Sequence, residues 1–390
     1  MTAAPGDEGR FDADELIERA IARHVGEGRI DNTIHDPLRI VTAELDEGAR
    51  LTSRGRTATL RYLERLLDGH LALDDWERTD SDGPEDEIRS PIFVVGAPRT
   101  GTTLVHRVLA RHRGLRAAEG WEFLYPLPTP LTGGVADDRR IALAAHELTF
   151  PQRVRTGLRN IHVYSAHMPK ECLSAMAFSL RTEEFISRYH APGYAAWLRE
   201  CDMTPAYCAH RRVLRALQAR QPDTRWVLKS PVHLQSIPTL VATYPDARFV
   251  VTHREPAAVL ASVSSLVATL RLAFADSVDR EAIGRHHLDL YAASLTRLVD
   301  HVDEGVLPRE RTVHVRHEDL VTTPEQTLSS LYEAMALGID EETRRDMLTE
   351  IADPRDDNLG SHQYAAADYG LDADEVAESF QQYRERFVSR

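Results

Sequence analysis

The stretch Pro91-Ile-Phe-Val-Val-Gly-Ala-Pro-Arg-Thr-Gly-Thr-Thr103 decides the fold of this chain. A run of apolar, β-prone residues leads into a loop that contains Gly96 and Gly101, and the apolar residues after Thr103 begin a helix. Such a loop binds phosphate because successive backbone N–H groups point into it and the helix N-terminus adds a partial positive charge. The stretch therefore predicts a strand–loop–helix unit that holds a phosphate group.

The loop differs from the P-loop of ATP-binding proteins in one respect. The spacing from Gly96 to Gly101 is that of a P-loop, but an ATP-binding loop continues with Lys and then Ser or Thr. Here Thr102 and Thr103 occupy those places, and the cation is Arg99 within the loop. The sequence thus predicts a phosphate-binding loop without the lysine that contacts a nucleoside triphosphate.

Composition narrows the range of functions. The 390 residues carry a net charge of −14. An acidic chain disfavours nucleic acid and anionic membranes as partners, although it is compatible with a local basic pocket. The N-terminus does not have a signal-peptide pattern, no apolar run reaches the ~18 residues of a membrane span, and the three cysteines lack metal or disulfide spacing. These features predict a cytoplasmic protein without a metal centre.

Strand and helix patterns alternate along most of the chain. After the first strand, further strands are predicted at 225–229, 248–253 and 312–316. The alternation predicts an α/β fold in which a parallel sheet is flanked by helices. We predict an N-terminal helical region at 1–88, an α/β domain at 89–390, and a helical insertion within that domain at about 134–222.

Four polar residues fall at the ends of predicted strands, namely Arg99, Lys229, Arg254 and His317. Because ligands of parallel sheets bind beyond the carboxyl ends of the strands, these side chains are expected at one edge of the sheet. Ser262 follows Arg254 by eight residues in the next predicted helix. A guanidinium fork and a hydroxyl in this arrangement predict a second phosphate site.

The order of these motifs resembles a known family. PAPRTGTT is followed by HREP with its downstream serine, and then by VRHEDL and PEQ; LKSPVHL near 228 and HQYAAADYGL near the C-terminus extend the likeness from about Pro91 to Phe387. This order resembles the sulfotransferases that use 3′-phosphoadenosine 5′-phosphosulfate (PAPS), in particular a bacterial branch related in loop sequence to the protein-tyrosine sulfotransferases. The resemblance implies a P-loop-like fold.

The resemblance also implies roles for single residues. The loop residues are expected to bind the 5′-phosphosulfate of PAPS, and they are Pro98, Arg99, Thr100, Gly101, Thr102, Thr103 and Leu104. Arg254 and Ser262 are expected to bind the 3′-phosphate, which remains on the product 3′,5′-adenosine bisphosphate (PAP). His317 stands where many relatives have a tyrosine near the adenine.

The chemistry of sulfuryl transfer calls for cations and for a base. Arg99 and Lys229 are expected to surround the transferring group and the leaving oxygen, and no metal is required. The acceptor must lose a proton, and two candidate bases are equally supported. Glu122 lies where the tyrosine-directed branch keeps a glutamate base, and His233 follows Lys229 as the base of the cytosolic branch follows its lysine. Glu119 is a third candidate.

The expected function is transfer of a sulfuryl group from PAPS to a hydroxyl, or an amine, of a small molecule. One alternative is a P-loop kinase that uses ATP on a nucleotide or a small molecule, and another is a binding module that has lost catalysis. The sequence identifies neither the acceptor nor the oligomeric state. Apolar and aromatic residues of the insertion region line an acceptor site or belong to the core, namely Phe123, Tyr125, Phe150, Tyr164, Met168 and Phe178.

Overall fold

The centre of the fold is a parallel sheet of four strands. In the computed structural model, which describes residues 10–80, 87–133, 137–160, 165–221, 225–352 and 366–389, the strands are β1 (Ile92–Val95), β2 (Val227–Lys229), β3 (Arg248–His253) and β4 (Thr312–Arg316). Their order across the sheet is β2-β1-β3-β4, and every neighbouring pair is parallel. The predicted α/β class, a parallel sheet flanked by helices, is confirmed.

Helices surround this sheet. Before it come α1 (Ala13–Arg23), α2 (Asn32–Glu47) and α3 (Ser53–Asp80). Between β1 and β2 come α4 (Thr102–Leu109), α5 (Gly120–Leu124), α6 (Asp137–Val154), α7 (Leu173–Met176), α8 (Glu183–Arg188), α9 (Pro192–Glu200) and α10 (Thr204–Gln218). Later come α11 (Ile237–Thr243), α12 (Pro256–Arg271), α13 (Arg280–Asp303), α14 (His317–Thr322), α15 (Pro324–Met335), α16 (Glu341–Ile351), α17 (Ala373–Ser379) and α18 (Gln381–Phe387).

The strands β1, β2 and β3 are largely buried, whereas the edge strand β4 is partly exposed. Along β1, Phe93 and Val95 belong to the larger core cluster, whereas Ile92 and Val94 belong to a smaller cluster on the opposite face. Side chains alternate between the faces of a strand, so a strand covered by helices on both sides is apolar at every position. This burial fixes the carboxyl ends of the strands, from which the loops with the predicted site residues begin.

The N-terminal helices share the larger core with the sheet. Leu63, Leu66 and Leu67 of α3 are fully buried in the cluster that also contains Phe93. Tyr62 of α3 donates a hydrogen bond of 2.8 Å from its hydroxyl to Glu184 of α8. The predicted border between 1–88 and 89–390 stays a prediction. No helix in the described ranges is both long enough and apolar enough to cross a bilayer.

The segment after β2 differs from the sequence prediction, and parts of the predicted insertion and C-terminal segment lie outside the described residues. The helix expected after Ser230 is instead a 3₁₀ turn, Pro231–Gln235, followed by α11. The expected ends of the insertion, near 134 and 222, lie outside the described residues, as do Tyr164 and the start of the HQYAAADYGL segment. Several short helices, α6 to α10, do lie between these ends.

Candidate active site

The loop between β1 and α4 has the backbone that its glycines predict. Arg99 and Gly101 both have positive φ, at 68° and 95°. A Cβ atom at Gly96 would lie 2.2 Å from Thr252 Oγ1, so only glycine fits beside β3 there. Thr100 is buried, and its Oγ1 lies 2.7 Å from Ala97 O and 2.6 Å from Thr252 Oγ1. The Thr100 side chain therefore holds the loop against β3.

The N-terminus of α4 follows this loop directly. Its N-cap residue, Gly101, supplies no side-chain hydrogen bond to the first turn of the helix. Helix N–H groups without a capping side chain retain hydrogen-bonding capacity for an anion. Thr102 and Leu104 are buried against the fold, and the hydroxyl of Thr103 lies at the edge of a cavity described below. The loop therefore offers backbone donors rather than a lysine.

Two guanidinium groups lie beside the loop. Arg254 Nη1 donates a hydrogen bond of 2.9 Å to the carbonyl oxygen of Arg99. Burial, and next the positive charge of Arg99, lower the pKa of Arg254. Among the described residues, no carboxylate forms a salt bridge with either arginine. Two close cations without a carboxylate repel each other, and a bound anion relieves that repulsion.

A cavity of about 200 Å³ lies next to Arg254 and is lined also by His253, Arg316, His317 and Phe387. The ring of His317 lies against the loop, since a Cβ at Gly101 would be 3.1 Å from His317 Cδ2. Ser262 is half-buried on α12 and is not among the described residues that line this cavity. The structure thus brings Arg99, Arg254 and His317 together around the loop.

Lys229 lies on the other side of the loop. Its Nζ is 2.5 Å from Glu171 Oε1 and 3.3 Å from Thr103 Oγ1, and the lysine is 3% exposed. The Cys172 N–H donates a hydrogen bond of 2.9 Å to the Lys229 carbonyl, which brings the segment containing Glu171 to the end of β2. The sequence does not predict Glu171 as a site residue, because no motif surrounds it and its partner is 58 residues away.

Neither predicted glutamate base lies at this point. Glu122 is buried in a salt bridge with Arg116, and its other oxygen accepts a hydrogen bond of 2.9 Å from the Glu119 N–H. Glu119 Oε2 accepts a hydrogen bond of 2.7 Å from Trp121 Nε1 and lies 3.0 Å from His167 Nδ1. Together Glu119 and Glu122 form a capping box at the start of α5. Their contacts stabilise a helix end.

His233, the other predicted base, lies in the core. It is fully buried, its Nδ1 is 2.9 Å from the Tyr207 hydroxyl, and its ring meets Phe93 edge-on at 5.2 Å. Burial, and next the charge of His210, hold its pKa well below the usual value. The 3₁₀ turn after β2, in place of the expected helix, turns this ring inwards. These contacts fix the ring within the core, and the assignment of His233 as the base stays a prediction.

Five buried histidines predict acid sensitivity. Burial lowers the pKa of His106 and His210 to about 3, and those of His233, His253 and His287 well below normal. Below about pH 6.5 the histidines of the unfolded chain bind protons, whereas these buried rings of the folded chain stay neutral. Each ring should therefore reduce the free energy of unfolding by about 1.4 kcal/mol for each pH unit below that value. Urea unfolding at pH 7 and pH 5.5 measures this loss.

One buried carboxyl acts in the opposite sense. Burial raises the pKa of Glu183 to about 7, so its protonation below that value stabilises the folded state and offsets part of the loss. In a His233→Phe variant, the free energy of unfolding should depend less steeply on pH than in the parent. The difference in slope should equal about the contribution of one histidine ring. Equal stability of the parent protein at both pH values would contradict the prediction.

A second cavity, of about 210 Å³, extends from Lys229, Glu171 and Thr103 into the helical part of the molecule. Met168 lines it, as the sequence analysis allowed. The other described candidates lie elsewhere. Phe123, Tyr125 and Phe178 are buried in core clusters, and Phe150 packs on Phe274 at 5.2 Å between ring centroids. Among the residues described here, no group of three His, Cys, Asp or Glu side chains is arranged to hold a metal ion.

Comparison with known proteins decides the family. Residues 91–341 match the sequence model described as the sulfotransferase family, and this range includes the loop, Lys229, Arg254 and His317. The chain belongs to the sulfotransferase family. Two relatives carry the name omega-hydroxy-beta-dihydromenaquinone-9 sulfotransferase Stf3, from Mycobacterium bovis and Mycobacterium tuberculosis. Each is 30% identical over 267 residues, which cover 64% of this chain and 63% of the relative.

Solved structures of sulfotransferases match over nearly the whole chain. Sulfotransferase STF1 from Mycobacterium tuberculosis has a TM-score of 0.79 at 28% identity, covering 95% of this chain and 98% of STF1. STF9 from Mycobacterium avium has the same TM-score of 0.79 at 22% identity, covering 98% of both chains, and supports the fold alone. The curated Stf3 relatives are matched over less than two thirds of their length, 63%.

Proposed function

We propose that this sulfotransferase family member transfers a sulfuryl group from PAPS to a hydroxyl of a small molecule. The observation that carries the proposal is the pair Arg99 and Arg254 beside an uncapped helix N-terminus, without a carboxylate partner among the described residues. In a chain with a net charge of −14, such a local cationic site fits a ligand with several negative charges.

The residues present fit the two anionic ends of PAPS. The backbone donors from Arg99 to Thr103, at the start of α4, fit the 5′-phosphosulfate. Arg254 fits the 3′-phosphate, together with Ser262 on α12, and the cavity beside His317 fits the nucleoside. Arg254 and His317 thus lie on the nucleoside side of the loop, whereas Thr103 lies on the acceptor side.

PAPS supplies an activated sulfuryl group, and this chain supplies the charges around it. As the group leaves, negative charge develops on the phosphate oxygen, where positioned cations reduce the barrier. Lys229 is held in place for this role, since it is buried and bonded to Thr103 and Glu171. Arg99 lies within the loop that binds the leaving phosphate. A positioned cation loses little freedom in the transition state.

The kinase alternative has no support beyond the shared loop. Thr102 and Thr103 stand where an ATP-binding loop has Lys and Ser or Thr, and the family match concerns sulfotransferases. The Stf3 relatives are named for a hydroxylated acceptor, omega-hydroxy-beta-dihydromenaquinone-9, which supports a hydroxyl rather than an amine as the receiving group.

The test combines binding with turnover. Isothermal titration calorimetry should show tighter binding of PAP than of AMP, because AMP lacks the group expected at Arg254. Incubation with ³⁵S-labelled PAPS and a panel of alcohols, phenols and amines should yield a sulfated alcohol without added magnesium. Equal affinity for PAP and AMP, or magnesium-dependent binding of ATP with no binding of PAP, would exclude the proposal.

A further inference from the structure

The cavity on the acceptor side of the loop has a distinctive wall. Helix α12 contributes Val263, Leu266, Val267 and Leu270, whose spacing of three and four residues places them on one face of the helix. Helix α13 adds Leu290 from its own buried face. The cavity therefore runs from the Lys229–Glu171 pair along a wall that is largely aliphatic.

Each cation that lines this cavity has a glutamate close to it. Arg188 forms a salt bridge of 2.9 Å with Glu184, Lys229 pairs with Glu171, and Lys170 is attracted by both glutamates. Burial lowers the pKa of the neighbouring His286 to about 4, so its ring is neutral at pH 7. The described lining thus holds no cation without a glutamate beside it, and the α12 wall adds no charge that could pair with an anionic acceptor. Burying a charge without a partner is costly.

Resting on the proposed function, we propose that the acceptor is an uncharged, mainly aliphatic alcohol. Its chain packs along the α12 face, and its hydroxyl lies beside Lys229 and Glu171. The four aliphatic side chains of the α12 face offer contacts along the length of an extended chain. Apolar burial supplies most of the binding energy of such an acceptor.

A chain-length series tests this proposal. With ³⁵S-labelled PAPS, kcat/KM for straight-chain primary alcohols should rise about fourfold for each methylene that the cavity buries, and then level off. An omega-hydroxy carboxylic acid of equal length should be at least about tenfold poorer, since its carboxylate enters an apolar wall. Leu266→Trp should reduce turnover of long alcohols more than that of short ones. Leu337→Trp, at a partly buried leucine of the other core cluster, is the matched control.

The outcomes separate this inference from the proposed function. If PAP binds more tightly than AMP but kcat/KM does not depend on chain length, or the hydroxy acid is preferred, the acceptor class is wrong and the reaction class stands. Failure of PAP to bind would remove the proposed function itself. If Leu266→Trp does not fold, the chain-length series on the parent protein still tests the acceptor class.

A different observation, the contact geometry of Glu171, identifies a catalytic group. Glu171 Oε1 lies 2.5 Å from Lys229 Nζ, which is itself 3.3 Å from Thr103 Oγ1 in the first turn of α4. The Glu171 side chain is 27% exposed and lines the acceptor cavity, so an acceptor has access to it. One lysine therefore separates this carboxylate from the loop expected to hold the sulfuryl group.

The other carboxylates of the cavity are engaged differently. Glu184 accepts hydrogen bonds from the Tyr62 hydroxyl at 2.8 Å, from Arg188 at 2.9 Å and from the Ser174 hydroxyl. These three partners give Glu184 a structural role. Glu183 is bonded to the Gln235 amide, and no described contact joins it to Lys229. Among the described residues, Glu171 is the carboxylate that contacts the lysine at the reaction centre.

We infer that Glu171 is the general base of sulfuryl transfer. The acceptor oxygen forms a bond to sulfur while the bond between sulfur and the phosphate oxygen breaks, and that oxygen keeps the electron pair and leaves with PAP. The acceptor proton passes to Glu171 and then to solvent. Lys229, next to both groups, stabilises the leaving oxygen as the proton departs.

The pH dependence of the base involves several neighbours. The groups whose charges act on, or are affected by, Glu171 are Lys229, Lys170, His106, Glu183, Tyr291 and Cys172. A base must be ionised, so kcat/KM should fall as pH drops through the acid limb.

Glu171→Gln tests the assignment. It should reduce kcat by about 10²-fold, and the loss should shrink for fluorinated alcohols, whose protons are more acidic. The acid limb of the pH profile should disappear, while the affinity for PAP should change less than threefold. Glu342→Gln, at an exposed carboxylate outside the cavity, is the matched control and should keep the limb. An unchanged limb in Glu171→Gln, or a loss independent of acceptor acidity, would overturn the assignment. Loss of PAP binding in the parent would instead refute the proposed function.

Discussion

Replacing Arg99 with alanine should reduce kcat of sulfuryl transfer by about 10³-fold, because a positioned cation in the loop then no longer offsets charge on the leaving phosphate. The affinity for PAP should fall less than kcat, since the backbone donors at the start of α4 remain. Single-turnover kinetics with ³⁵S-labelled PAPS separate the chemical step from binding.

Two further variants make the Arg99 result specific. Arg99→Lys should recover part of the rate, because it restores the charge without the bidentate fork. Arg113→Ala, which removes an exposed arginine whose salt-bridge partner is the surface residue Glu342, should retain the parent rate. Parent activity in Arg99→Ala would show that the loop cation does not act on the leaving group, and it would transfer that role to Lys229.

Arg254→Ala should weaken PAP binding by about 10²–10³-fold and AMP binding by less than threefold. Loss of a half-buried, hydrogen-bonded cation leaves the 3′-phosphate without its partner, and such changes cost about 2–5 kcal/mol. Ser262→Ala removes one neutral donor and should weaken PAP binding by about tenfold or less. Isothermal titration calorimetry with PAP and with AMP on each variant gives the ratio of the two dissociation constants.

The ratio of the PAP affinity to the AMP affinity also distinguishes loss of a phosphate contact from a change in the structure of the loop. Arg254 donates to the Arg99 carbonyl, so its removal affects the loop as well as the 3′-phosphate. Equal weakening of PAP and AMP would mean that Arg254 acts by shaping the loop, and the 3′-phosphate assignment would be wrong. Arg309→Ala, at an exposed position in a 3₁₀ turn, is the control for removal of a positive charge.

The elements that hold the phosphate were predictable because their signals are local. A buried parallel strand is an unbroken apolar run, as in β1, and β3 and β4 also lie where they were predicted, at 248–253 and 312–316. The glycines of the loop are equally local, since Gly101 has positive φ and Gly96 has no room for a side chain. The family then followed from the order of such motifs.

The proposed base, Glu171, was not predictable because its surroundings are made by distant residues. The spacing of His233 after Lys229 matched a familiar arrangement, but a 3₁₀ turn stands in place of the expected helix and the ring is buried. Glu122 was predicted from its position, and its carboxylate pairs with Arg116 in the structure. Glu171 carries no local pattern, and a backbone hydrogen bond from Cys172 to Lys229 brings its segment to the lysine that it contacts.

Among the described residues, the cavity beside His317 and the cavity beside Lys229 share no lining residue. The loop lines the second with Pro98 and Thr103, and its Gly101 lies close to His317 of the first. If PAPS and the acceptor occupy these two cavities as proposed, each substrate has its own approach, and we expect a sequential mechanism with random order of addition. A dead-end ternary complex of acceptor and spent nucleotide would then inhibit turnover at high acceptor concentration.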